Sequence, residues 1–196
     1  MKKETIIFGL FMFILGVIAG IAVPKYFSKD SRNGFNPSEF TGGQGGENLG
    51  QLRDYSETIL QLQSVLSTNP DNIDVRVQLA NAYFDSRQWD KAVDEYSKVL
   101  EKNPNNPDVR TDLGICYREL GKFDKAIEEF RKAADEDPKH LNSRFNLGVV
   151  YNFDKRDYAN AKKAWEDYLE IAPEGEKTEE IKKYLEQIDK VMSGKG

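Results

Sequence analysis

The chain has 196 residues, with 28 basic and 33 acidic side chains, a formal net charge of −5, one cysteine and one histidine. The acidic balance argues against nucleic acid as a partner, because phosphate contacts need clustered Lys and Arg. One cysteine forbids an intramolecular disulfide, and one His with one Cys builds neither a metal cluster nor most nucleophile–base pairs, so no cofactor, metal or catalytic residue is expected.

The first predicted element is a membrane anchor over residues 1–27. Residues 6–23 run for 18 positions without a charge or a strongly polar group. At ~1.5 Å per residue this is about 27 Å, close to the hydrocarbon thickness of a bilayer. Small residues at Gly20-Ile21-Ala22 also suit a signal-peptide cleavage site. The run is long for a signal peptide, however, and Lys25, Lys29 and Arg32 follow at once, which favours an uncleaved anchor in a bacterial inner membrane. The short N-terminal tail points to N-in, with the rest of the chain outside the cytoplasm; the charge balance across the span is nearly even. Gly16 and Gly20 form a Gly-x-x-x-Gly pair, which fits close packing of two spans in a homodimer or an ordinary membrane helix.

Residues 28–50 are rich in Gly, Ser and Asn and read as a flexible tether. Residues 51–72 follow as a lone helix: Tyr55, Leu62, Val65 and Pro70 lie 34 residues before Trp89, Tyr96, Val99 and Pro104. The expected partner helix is missing, because Gly42, Gly43, Gly45 and Gly46 stand in its place and glycine is a poor helix former. Such a helix either caps the domain or leaves an open apolar edge for a partner or a second copy.

The period continues over residues 73–106, 107–140 and 141–175. Leu79, Ala80, Tyr83, Ala92, Tyr96, Val99 and Pro104 recur 34 residues later as Leu113, Gly114, Tyr117, Ala126, Phe130, Ala133 and Pro138. Leu147, Gly148 and Tyr151 keep the interval, whereas Ala161, Trp165, Tyr168 and Pro173 come one residue late, so the last unit has one insertion between its two apolar patterns. Each unit reads as two helices that approach closely at a small residue. A 34-residue period with this Leu-Gly-x-x-Tyr, Ala-x-x-x-Phe-x-x-Ala and Pro spacing resembles the tetratricopeptide repeat (TPR) family. The fold class expected is all-α: a TPR solenoid of three repeats, a half-repeat helix before it, a C-terminal capping helix over residues 176–192, and the transmembrane helix. In the capping helix Ile181, Tyr184, Leu185, Ile188 and Met192 form one apolar stripe. Cys116 falls inside a first helix and reads as a buried apolar residue, and His140 falls in a turn and reads as solvated.

The resemblance implies a concave surface, lined by the first helix of each repeat, that holds a peptide or helix of a partner protein. The stripe beside Leu-Gly-Tyr supplies its candidate residues. They are Val77, Gln78, Asn81, Phe84 and Asp85 in the first repeat and Thr111, Asp112, Ile115, Arg118 and Glu119 in the second. The third offers Phe145, Asn146, Val149, Asn152 and Phe153. Some TPR domains grip an acidic C-terminus with Lys, Arg and Asn. This sequence keeps Asn81 and Asn146 at matching places, but Val77, Asp112 and Phe145 depart from that clamp. The groove therefore suits an apolar to weakly basic segment. The order of a single span and then Tyr158-Ala-x-Ala161-x-x-x-Trp165-x-x-Tyr168-Leu169-x-x-x-Pro173 also resembles the TPR subunits of bacterial cytochrome c maturation, which implies apocytochrome c as a partner. Two function classes follow: a membrane-tethered scaffold that binds protein in its groove, and a self-associating organiser of a membrane assembly.

Overall fold

The computed structural model describes residues 48–175 and 177–194, with side chains from residue 55 onward. The anchor with Gly16 and Gly20, and all but the end of the tether, lie outside the described residues. Among the described residues no helix is long and apolar enough to cross a membrane.

Eight α-helices and no strand make up the described part. They are α1 (Asn48–Thr68), α2 (Ile73–Asp85), α3 (Trp89–Lys102), α4 (Pro107–Glu119), α5 (Phe123–Glu136), α6 (Leu141–Val149), α7 (Tyr158–Ile171) and α8 (Thr178–Met192); α6 continues as a π turn, Val150–Asp154. Helix α1 starts at Asn48, so the last three residues of the stretch read as tether, 48–50, are helical.

Local chemistry repeats with the sequence. The side chains of Asn72, Asn106 and His140, spaced by 34, each accept a hydrogen bond from the backbone N–H of the third residue of the following helix. That satisfies one of the donors a helix start leaves open. His140 is thus a cap and not a solvated loop residue. Its side chain is 11% exposed, and Nε2 lies 3.3 Å from Asp108 Oδ1. Each hairpin turn places one residue at positive φ: Arg87 at 58°, Gly121 at 71° and Arg156 at 53°.

Packing follows the small residues. A Cβ at Gly114 would lie 2.5 Å from the Phe130 ring, and one at Gly148 would lie 2.1 Å from Trp165 Nε1. The helices of each hairpin touch there because no side chain intervenes. Two core clusters result, one shared by α1 to α4 and one by α5 to α8, and Tyr117 packs against both. Ile59 and Leu66 fix α1 to the first hairpin, while Leu60 stays 66% exposed. Ile181 and Ile188 fix α8 to the last one. Met192, expected on the buried stripe, is exposed at the end of α8. Cys116 is fully buried, as its place in a first helix implied.

The insertion in the third unit is taken up inside the first helix. The π turn at its end holds one more residue per turn, and it delivers Phe153 and Asp154 toward the neighbouring hairpins.

Candidate interaction surface

Helices α2, α4 and α6 are the first helices of the three hairpins, and together with the π turn that continues α6 they carry the fifteen candidate residues. Three of these are not surface residues. Thr111, Phe145 and Val149 are each 3% exposed. The Thr111 hydroxyl donates to the Pro107 backbone oxygen at 2.8 Å. Phe145 meets Tyr168 edge-on, and Lys177 Nζ sits 4.0 Å from its ring centre. The physical reason is the 100° step between successive helical residues: beside the Leu-Gly-Tyr stripe, some positions turn toward the adjacent hairpin and others toward solvent.

The remaining candidates form two neighbourhoods. The first gathers on α2 and α4 around the Tyr96 hydroxyl, which donates to Asn81 Oδ1 at 2.8 Å. Burial and then the charges of Asp112 and Asp85 push the Tyr96 phenol well above its ordinary range. Asp85 is open to solvent on one side and crowded by protein on the others, and this desolvation raises its carboxyl. Among the described residues no cation lies within ion-pairing distance of it. Phe84 stands beside it, half-buried, meeting Trp89 edge-on at 5.3 Å and Tyr96 at 6.5 Å. Val77 is half-buried against the same core, and Gln78 is exposed.

The second neighbourhood lies on α4, α6 and the π turn. Arg118 Nε donates to Asp154 Oδ2 at 2.5 Å, and Glu119 lies 3.8 Å from the same guanidinium. Arg118 is therefore committed internally, not held out for a partner. Ile115 is half-buried against the second core. Asn146 donates to the Asn142 backbone oxygen at 2.8 Å, and Asn152 is half-buried. Phe153 is 47% exposed and meets Tyr184 edge-on at 5.3 Å. Tyr184 in turn stacks on Trp165 at 4.9 Å. Sequence reasoning placed Tyr184 in a cap; its role in building the aromatic end of this surface depends on how α8 docks, which its own pattern does not encode.

The surface thus offers apolar ring edges between carboxylates. No group of His, Cys, Asp and Glu that could hold a metal ion occurs among the described residues. Models of the tetratricopeptide repeat match residues 77–140 and 117–176, and a further one matches residues 51–100.

The chain belongs to the tetratricopeptide repeat family.

Among solved structures, the TPR domain of Sgt2 from Aspergillus fumigatus is 28% identical with a TM-score of 0.57, over 64% of this chain and 83% of that one. The first TPR of Spaghetti (RPAP3), bound to the HSP90 peptide SRMEEVD, is 26% identical with a TM-score of 0.56, over 62% of this chain and 93% of that one. MamA from Desulfovibrio magneticus RS-1, 23% identical with a TM-score of 0.54 over 63% of this chain and 67% of that one, shares the fold. No curated protein sequence matches the chain. TPR proteins commonly mediate protein–protein interactions and are generally interaction modules rather than enzymes.

Proposed function

We propose that this TPR protein is a membrane-tethered scaffold that holds an apolar to weakly basic segment of a partner protein along α2, α4 and the π turn. The observation that carries the reading is the exposed carboxylate of Asp85, which meets no cation among the described residues, next in sequence to the half-buried ring of Phe84. A carboxylate in that position costs the folded chain stability, and a partner Lys or Arg would remove the cost. The exposed Phe153 supplies a second apolar anchor. The acidic HSP90 peptide held by the RPAP3 domain is of opposite character, in line with Val77 and Asp112 replacing the acid-gripping pattern here.

The tether to a bacterial inner membrane, with the repeats outside the cytoplasm, rests on the apolar run at residues 6–23 alone. Apocytochrome c segments are one cargo of suitable chemistry, on the strength of the pattern at residues 158–173. The test is capture of partners by the full-length protein from an envelope extract, compared with an Asp85→Lys, Phe153→Ser variant of unchanged helicity. Loss of at least ten-fold in captured partner is expected; equal capture would refute the groove. Protease treatment of intact spheroplasts tests the topology: digestion of the repeats supports an outside location, and protection reverses it. The rival organiser role through Gly16 and Gly20 predicts a dimer that becomes monomeric when residues 1–70 are deleted.

A further inference from the structure

The hairpins carry an internal control, since residues 34 apart, or 35 across the insertion, occupy equivalent places. On the side opposite the groove, furrows run between successive second helices, floored by the first helix of the later unit. Helix α1 serves as the second helix of the missing first unit. Two of the three furrows are filled alike. Between α1 and α3 stand Leu66 and Glu95, and Glu95 accepts from Arg76 and Lys98, both at 2.7 Å. Between α3 and α5 stand Leu100 and Glu129, and Glu129 accepts from Arg110 at 2.8 Å and Lys132 at 3.0 Å.

Between α5 and α7 both filling positions are alanine: Ala134 replaces the leucine and Ala164 the glutamate. The floor arginine is kept as Arg144. It donates to the His140 backbone oxygen at 3.1 Å, and no carboxylate of the described residues lies within ion-pairing distance. A half-open cleft of about 270 Å³ remains, which Arg144 and Ala164 line. The rim charges are rearranged as well: Asp167 stands where the other furrows carry Lys98 and Lys132. Lys163 stands where the other furrows carry Asp94 and Glu128, and Arg131 stands where they carry Gln63 and Ser97. Arg131 donates to the Tyr151 hydroxyl at 2.6 Å on the cleft wall. Asp167, 3.0 Å from Lys163 Nζ, and Asp135 keep the surplus of positive charge small.

We propose that this cleft binds a carboxylate side chain of a partner polypeptide, which enters from solvent into the place that Glu95 and Glu129 fill from within the chain. A half-buried guanidinium offers a carboxylate two parallel hydrogen bonds. The volume given up by a leucine and a glutamate accommodates the aliphatic stem. The two rim carboxylates disfavour a dianion, so carboxylate is preferred over phosphate. The site does not depend on the groove, because none of the residues that line it is a groove candidate.

The test is fluorescence anisotropy of fluorescein-labelled tetraglutamate titrated with the full-length protein, with equally labelled tetraglutamine as the neutral probe. Saturable binding of tetraglutamate alone is expected. At least a five-fold weaker affinity is expected for Arg144→Gln and also for Ala164→Glu, which supplies the missing acid from within and keeps every cation. Lys190→Gln, on the far face of α8, should leave the affinity unchanged. Affinity for tetraglutamate in Ala164→Glu equal to that of the unaltered protein, or equal binding of tetraglutamine, overturns the proposal. Displacement by inorganic phosphate at lower concentration than by acetate overturns the assignment to carboxylate.

Discussion

Replacing Gly148 with alanine tests how the third hairpin closes. The added methyl would lie 2.1 Å from Trp165 Nε1, 2.3 Å from Cε2 and 2.4 Å from Cδ1. The indole cannot simply swing aside. It is fully buried, stacks on Tyr184 and donates from Nε1 to the Phe145 backbone oxygen at 3.1 Å. Overpacking a tight core costs about 1–3 kcal/mol. Pulling the buried N–H off its acceptor adds about 1–3 kcal/mol. Better helix propensity of alanine returns about 1 kcal/mol. The net loss is then about 1–5 kcal/mol, or roughly 3–15 °C in Tm for a domain of this size. Urea and thermal unfolding of the full chain, followed by far-ultraviolet circular dichroism, measure it. Tryptophan emission should shift to the red as the indole is displaced. A loss below about 0.5 kcal/mol would mean that the helices separate freely at Gly148, and the close-contact reasoning would fail.

Arg110 tests the filled furrow. Its side chain is 11% exposed and bonded to Glu129, Glu136 and the Pro104 backbone oxygen, so Arg110→Ala should cost about 2–4 kcal/mol, whereas Arg144→Ala should cost under about 1 kcal/mol. Equal costs in urea unfolding would contradict the difference between the furrows. Cys116 is fully buried and burial raises its thiol far above the ordinary range, so a thiol reagent should label it only as fast as the chain opens. Rapid labelling in native buffer would disprove that burial. Burial, then the hydrogen bond to Glu180, raises the Tyr184 phenol to about 12 from 10.0. A folded-state value above the unfolded one gives stability that is full below pH 10 and is lost as pH rises through about 12. Tyr184→Phe should therefore flatten the decline in urea midpoint over that window; an unchanged slope would count against it.

The helical hairpins were legible because their causes are local and periodic. Gly114 and Phe130 are dictated by a contact within one unit and Leu113 by packing against the unit before it, and the same pattern recurs at one fixed interval. The groove was less legible, because it depends on how one hairpin rotates against the next. Thr111 and Phe145 lie a single helical step from the half-buried Asp112 and Asn146, whereas Val149 is flanked by buried Gly148 and Val150, and only docking against adjacent helices decides which side each takes. Arg118 counts among the groove candidates by its place on the helix, and its partner, Asp154, lies 36 residues on and reaches it through the π turn. His140 looked solvated when judged by its own loop, yet aligning it with Asn72 and Asn106 shows the capping position at once. The furrow residues were equally within reach of a column-by-column comparison of the units.

The π turn at Val150–Asp154 has a consequence for how such a chain changes length. A unit of 35 residues sits in a lattice built for 34 because one loosened turn absorbs the surplus, leaving the next helix in phase. A single-codon insertion there is no frame error for the array: the following helix keeps its place, and the residues at its crest, Phe153 and Asp154, gain an orientation that reaches Tyr184 and Arg118. The surplus residue thus sets new side chains against the preceding hairpin and the capping helix while the helix that follows keeps its phase.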